Sequence, residues 1–237
     1  MQPMIIRANE RGHASFGWLN SFHTFSFGNY MNPERMHFGA LRVLNDDTVA
    51  PGEGFGTHPH SNMEIISIPL EGTMMHRDSM GSAQPLRVGD VQVMSAGTGL
   101  THSEYNGSTS DVLKFLQIWI IPHTRDVEPR YDEVLVGDLT PNVEHTIIAP
   151  QGSDGKMWIH QDAWLSLTDL HAGASLERNE RAPGIGTFVM PIEGSVVVNG
   201  TDLARRDAIG LYDASSVSIT AHETSRILII DVPVVLA

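Results

Sequence analysis

The sequence predicts an all-β protein built as two barrel lobes in one chain. Three observations carry that prediction: short β-type runs along the whole length, a scarcity of helical patterns, and an internal repeat that relates the two halves. Runs rich in Val, Ile, Phe and Leu recur at Met63–Leu70, Asp90–Met94, Leu113–Ile121, Thr187–Pro191, Ser195–Asn199, Ser216–Ile219 and Arg226–Val232. Between them stand Glu71-Gly72, Val88-Gly89-Asp90, Glu193-Gly194 and Asn199-Gly200, clusters of the residue types that tight turns require. Many short strands at such spacing fold as a sandwich or a barrel. The run Gln161–Leu170 admits a helical turn, but Trp164, Leu165 and Leu167 fit a strand, and a strand is expected there.

The repeat gives the domain organisation. Pro69-Leu70-Glu71-Gly72-Thr73 returns as Pro191-Ile192-Glu193-Gly194-Ser195, an offset of 122 (Gly72 to Gly194). Each copy leads into a hairpin-like stretch, an Asp-bearing segment (Gly89-Asp90; Arg206-Asp207) and a hydrophobic strand (Phe115–Ile121; Ile227–Val232). Two copies at so long a period indicate a duplicated domain rather than a solenoid. The 237 residues suit two small domains, and either half can bury its own core. Pro122, Pro129, Pro141 and Pro150 mark a connecting stretch with few apolar runs before Thr146-Ile147-Ile148. The expected division is residues 1–135 for an N-terminal lobe and 136–237 for a C-terminal lobe.

Composition narrows the function classes. Hydrophobic residues make up 41% and charged residues 18%, an ordinary globular balance. The formal net charge is -13, from 15 Lys+Arg against 28 Asp+Glu, so a broad basic surface for nucleic acid or an anionic membrane is not expected. Without a cysteine, any metal must sit on His and carboxylate ligands. The N-terminal Met1-Gln2-Pro3-Met4-Ile5-Ile6-Arg7 does not read as a signal peptide, and no apolar window reaches the roughly 18 residues of a membrane span. A cytoplasmic location is the expectation, with the chain acting as a monomer.

Eight of the twelve histidines lie in the first 123 residues, and two pairs stand out. His58-Pro59-His60 follows Gly52-Glu53-Gly54-Phe55-Gly56-Thr57, and His102-Ser103-Glu104 follows some forty residues later. Side chains two apart on a strand share a face, so each pair presents two donors, about 6–7 Å apart at Cα, to one side. A second strand facing the first would complete a site of three histidines and one carboxylate. Either pair alone is weak; the combination on a β scaffold points to a metal.

The same stretches carry a family resemblance. Gly52 through Glu64 matches the first cupin motif, although Gly72 falls one residue late. Gly89 through His102 resembles the second, with Ser95 in place of the usual proline and a longer Gly97–His102 spacing. Those departures, with Arg7–His13, His23–Phe27, Gly54–His60, Asp78–Gly81 and Met94–Glu104, resemble the pirin family across about residues 7–122; the C-terminal half resembles it more loosely. The resemblance implies a bicupin, two double-stranded β-helix (jelly-roll) barrels in one chain. It implies one divalent transition metal per chain, Fe(II) foremost with Mn, Ni, Cu or Zn as alternatives, on His58, His60, His102 and Glu104. Glu64 follows His60 by four and so is expected to share its inward parity, which keeps it as an alternative or supporting group.

Two functions follow from the resemblance. One is a quercetin 2,3-dioxygenase that opens the flavonol heterocycle with O2 and releases CO, with Glu104 taking the flavonol proton and a small aromatic molecule as substrate. The other is a metal- or redox-dependent regulatory partner of other proteins. A deep cavity beside the metal would favour the first, and a filled barrel the second. Other residues read more plainly. His23, Phe25 and Phe27 alternate and are expected on one face, as packed aromatics or as a pocket wall. His13 and His37 are expected at the surface, Met74, His76, Met94, Phe115 and Trp119 as barrel lining or equally as core filling, and His160, His171 and His222 as structural or exposed. At the repeat offset Glu180 and Ala182 replace His58 and His60, so the second lobe is expected to pack and close rather than to bind metal.

Overall fold

The computed structural model describes residues 2–235. It is β-structure throughout, with one short 3-10 turn at Ala8–Glu10 and no α-helix among the described residues. The strands up to the connecting stretch are β1 (Met4–Ile6), β2 (Gly12–Ser15), β3 (Leu19–His23), β4 (Leu41–Val49), β5 (Gly54–His60), β6 (Glu64–Glu71), β7 (Thr73–Asp78), β8 (Ala83–Arg87), β9 (Asp90–Ser95), β10 (Leu100–Asn106), β11 (Leu113–Ile120) and β12 (Arg130–Leu135). The remainder are β13 (His145–Pro150), β14 (Met157–Ile159), β15 (Trp164–Leu170), β16 (Ser175–Asn179), β17 (Ile185–Glu193), β18 (Val196–Val198), β19 (Thr201–Leu203), β20 (Ala208–Leu211), β21 (Ser216–Ala221) and β22 (Ser225–Pro233). Every hydrophobic run singled out in the sequence falls on a strand, and Gln161–Leu170 contains β15.

Each lobe is a large sheet and a small sheet closed on one another, so the chain is a bicupin. The first lobe pairs a seven-stranded sheet, β12-β9-β6-β11-β4-β3-β2, with a four-stranded one, β5-β10-β7-β8. The second pairs β1-β20-β17-β22-β15-β13-β14 with β16-β21-β18-β19. Inside the first barrel Leu19, Val49, Leu113 and Phe115 of the large sheet pack on Met74 and Leu86 of the small one. In the second, Val189, Ile209, Ile227 and Ile229 pack on Val196, Val198, Val217 and Ile219.

The two large sheets stand back to back over a common core. Leu116 and Ile118 of β11 enter it from one side, Leu228 and Ile230 of β22 from the other, with Phe25, Phe38 and Phe188 among them. Strands β11 and β22 are thus buried on both faces, which is why they read as continuous hydrophobic runs rather than as alternation. Strand β1 crosses to the second lobe, where Met4 to Ile6 pair antiparallel with Gly210 to Ala208.

The repeated pentapeptide marks one turn used twice. Gly72 and Gly194 adopt φ of +80° and +79°, a region that disfavours side chains. A Cβ would stand 2.7 Å from the Val112 carbonyl oxygen at the first and 2.7 Å from that of Thr224 at the second.

Because one core serves both lobes, Phe188→Ala is expected to cost about 3–5 kcal/mol and to leave a single cooperative transition. Guanidinium unfolding followed by tryptophan fluorescence and circular dichroism checks this; two separated transitions would show the lobes unfolding independently.

Candidate metal centre and its cavity

Antiparallel pairing of β10 with β5 sets His102 opposite His58, and the strand period puts His60 on the same face as His58. The three rings crowd together, with centroids 4.5 Å (His58–His102), 4.8 Å (His58–His60) and 4.9 Å (His60–His102) apart. One ring nitrogen from each lies within 4.8 Å of the others, close enough to share an ion. His76, His102 and Glu104 form a second such group, so Glu104 joins the cluster through His102. A register shift between His102 and Glu104 marks a bulge whose extra residue lies on β5, where Gly56 and Thr57 stand against Ser103.

The donor chemistry suits a cation. His58 donates from Nδ1 to the Gly56 carbonyl oxygen at 2.8 Å, which leaves the Nε2 lone pair free. His102 is buried, and neither of its ring nitrogens meets a hydrogen-bond partner among the described residues. A buried, unpartnered imidazole is costly, and a bound cation removes that cost. Burial, reinforced by neighbouring histidines, pushes His102 down to about 2 and His60 down to about 4. Both are therefore neutral, the form that ligates metal.

Glu104 is held from the large sheet. Ser67 Oγ donates to its Oε1 at 3.0 Å and Gln117 Nε2 to its Oε2 at 2.8 Å. Burial nonetheless raises its pKa to about 7, with these two hydrogen bonds opposing the rise. Sequence reasoning did not single out Ser67 or Gln117. The available signal was a polar residue at an inward position of an otherwise apolar strand.

A cavity of about 570 Å³ opens beside these groups. His58, His60, Glu104 and Gln117 bound it at one end, and Trp18, Phe27, Phe55 and Trp119 give it an aromatic wall. Trp119 lies edge-on to His60 with centroids 5.0 Å apart.

Several expectations are corrected. Glu64 does not share the parity of His60, because Asn62 at φ +49° turns the chain between β5 and β6. Its carboxylate accepts from Ser95 Oγ at 2.6 Å, and it belongs to neither metal-capable group. His23, Phe25 and Phe27 do not share one face, since β3 ends at His23. His23 and Phe27 line the cavity, whereas Phe25 packs on Phe188 with centroids 5.8 Å apart. His13 is exposed, as expected, yet sits at the cavity rim. His37 is exposed, as expected, and donates from Nδ1 to the Gly39 carbonyl oxygen at 2.8 Å. Of the expected lining, Trp119 reaches the cavity, Met74, Met94 and Phe115 fill core, and His76 is buried against Tyr131 and Asp78.

Comparison with known proteins agrees with this geometry. The Pirin family profile matches residues 6–120, and a second profile, described as Quercetinase C-terminal cupin domain, matches residues 146–232. The quercetin 2,3-dioxygenase of Escherichia coli (strain K12) is 41% identical over 233 residues, covering 97% of this chain and 98% of that protein. The chain belongs to the pirin family. A pirin-like protein of Caulobacter vibrioides is 37% identical over 226 residues, covering 93% of this chain and 95% of its own. The crystal structure of the Escherichia coli pirin YhhW in complex with nickel(II) superposes with a TM-score of 0.93 at 40% identity, covering 98% of this chain and 99% of that one.

The second lobe of this pirin uses its corresponding barrel mouth differently. Arg178 of β16 bonds Asp231 of β22 at 2.9 and 2.6 Å, and Glu144 at 3.0 Å through two nitrogens. Thr187 and Arg181 complete the network on Asp231. Among the described residues, both metal-capable groups lie in the first lobe.

The position of Glu64 yields a pH prediction. Burial, opposed by the Ser95 bond and Arg130, raises its pKa from 4.5 to about 7. Between those values the folded chain holds a proton that the unfolded chain has lost, so stability falls as pH rises through this window. Glu64→Gln removes that penalty. The variant is expected to be more stable than the parent at pH 8, by up to about 3 kcal/mol, with the gap closing towards pH 5. Thermal unfolding of both proteins across pH checks it; an equal gap at all pH values would contradict the assignment.

Proposed function

We propose that the chain is a metal-dependent dioxygenase that opens the heterocycle of flavonols such as quercetin with O2 and releases CO. The observation that carries this reading is the juxtaposition of convergent imidazoles with a large aromatic-walled cavity. The donor set His58, His60, His102 and Glu104 would hold one divalent transition metal, Fe(II) foremost, with Mn, Ni, Cu or Zn also compatible with nitrogen and oxygen donors. When bound, such an ion supplies Lewis-acid activation of the flavonol hydroxyl and an open position for small ligands.

The chain's own residues then do three things. Trp18, Phe27, Phe55 and Trp119 accept a flat aromatic body and limit water in the cavity. Ser67 and Gln117 fix the Glu104 carboxylate from two adjacent strands. Glu104, lining the cavity at the same end as His58 and His60, takes the hydroxyl proton of the bound flavonol. The two atoms of O2 enter the ring-opened ester, and one ring carbon leaves as CO. The division at residues 135/136 assigns all of this to the N-terminal lobe, and the C-terminal lobe serves as its packing partner in a monomeric, cytoplasmic enzyme.

The fact that the cavity is open, not filled, favours this reading over a purely regulatory metal protein. His58→Ala, His60→Ala and His102→Ala are each expected to take metal content from about one ion per chain to near zero while the fold survives, read by mass spectrometry and circular dichroism. Glu104→Gln is expected to lower quercetin turnover by about 10²–10⁴ with a much smaller loss of metal. Metal-replete protein that consumes no flavonol beyond free metal in buffer would overturn the enzyme and leave a metal-dependent interaction protein as the better reading.

A further inference from the structure

The floor of the first barrel carries a polar row that the proposed reaction uses only in part. His23, Asn45, Gln117, Ser67 and Gln92 are successive register partners across β3, β4, β11, β6 and β9. Residues directly opposite one another across strands point to the same face, so all five enter the barrel, and all five are buried. The next row, Val43, Trp119, Ile65 and Met94, is apolar. Gln117 and Ser67 are committed to Glu104. Asn45, one strand to the side of Gln117, and His23, two strands to the side, line the cavity, together with Asp47 from the adjoining row.

These groups retain hydrogen-bonding capacity. Asn45 Oδ1 and His23 Nδ1 are buried and have no hydrogen-bond partner among the described residues. Asp47 is 3% exposed and accepts from Ser21 through Oδ1, which leaves Oδ2 without a protein donor among the described residues. Buried polar atoms in this state are costly unless something from outside the chain completes them. Around them the cavity offers the flat faces of Trp18, Phe27 and Phe55.

We propose that Asn45 and Asp47 form a hydroxyl-recognition wall that selects aromatic substrates bearing adjacent ring hydroxyls over those with a bare ring. The proposal deepens the flavonol reading and rests on it for the choice of substrate class. Asp47 Oδ2 accepts from one ring hydroxyl, and the Asn45 amide bonds its neighbour. The wall stands on β4, the strand next to β11, so it adjoins the Gln117 that holds Glu104. Asn45 and Asp47 are positioning and specificity residues; the proton transfer remains with Glu104.

The test compares a flavonol bearing a catechol ring (quercetin) with one bearing an unsubstituted phenyl ring, on metal-loaded wild type, Asp47→Asn and Asn45→Leu. The ratio of kcat/KM for the two flavonols is expected to fall about tenfold or more in each variant, with metal content unchanged and a cooperative fold retained. Quenching of tryptophan fluorescence by each flavonol measures binding separately from turnover. An unchanged ratio in both variants, or equal binding of the two flavonols to wild type, overturns the wall. If wild type turns over neither flavonol but still binds the catechol form more tightly than the variants do, the wall stands and the dioxygenase reading falls. Should Asp47→Asn fail to fold, Asn45→Leu alone decides.

Discussion

The register of β10 against β5 is the constraint on which the site depends. It places His102 opposite His58 and turns both toward the barrel interior, where His60 already faces. A slip of one residue would move His102 and Glu104 to the other face together, because strand side chains alternate with period two. What holds the register is the surrounding barrel: β7 pairs with the far edge of β10, and His102 and Glu104 stand opposite Asp78 and His76 there. Rings that would otherwise be solvated are thereby forced together, His60 and His102 in their neutral form.

The two lobes spend the same architecture in opposite ways. In the first, the barrel mouth is left open, and its polar groups converge on a cavity. In the second, Arg178, Asp231 and Glu144 satisfy one another across the corresponding strands, so the interior is closed by an ion-pair network. Removing one partner from a buried network of this kind strands the others, and this makes it a poor starting point for a ligand site. The second lobe instead contributes half of the core between the large sheets, which stiffens the floor that carries Ser67 and Gln117.

Much of this was legible in the sequence, for identifiable reasons. Strands buried on both faces announced themselves as hydrophobic runs, and the repeated turn did so because Gly72 and Gly194 meet the same steric demand. The paired histidines were visible because the strand period alone puts them on one face. Parity arguments failed where the chain leaves the strand. Glu64 was expected beside His60, and Asn62 reverses that; Phe25 was expected beside His23, and the end of β3 separates them. Ser67 and Gln117 escaped notice because each is a single polar residue inside an apolar run, and Asn45 and Asp47 because the polar run Asn45-Asp46-Asp47-Thr48 reads as solvent-facing. Their meaning lies in the cross-strand row, and only the register supplies it.

The crossing of β1 has a consequence for how the chain is made. Met4 pairs with Gly210, 206 positions later (210 − 4), so this strand leaves the ribosome long before its partner exists. Until β20 arrives, the segment has no ladder to join, and until β1 returns, β20 presents an open edge to any passing chain. The pairing is among the most non-local in the molecule and closes late, in keeping with the slow folding of high contact-order β proteins. It acts as a clasp. The lobes are joined once through the segment that follows β12 and again through β1, and this second, non-adjacent link resists cutting the duplicated domains back into independent halves.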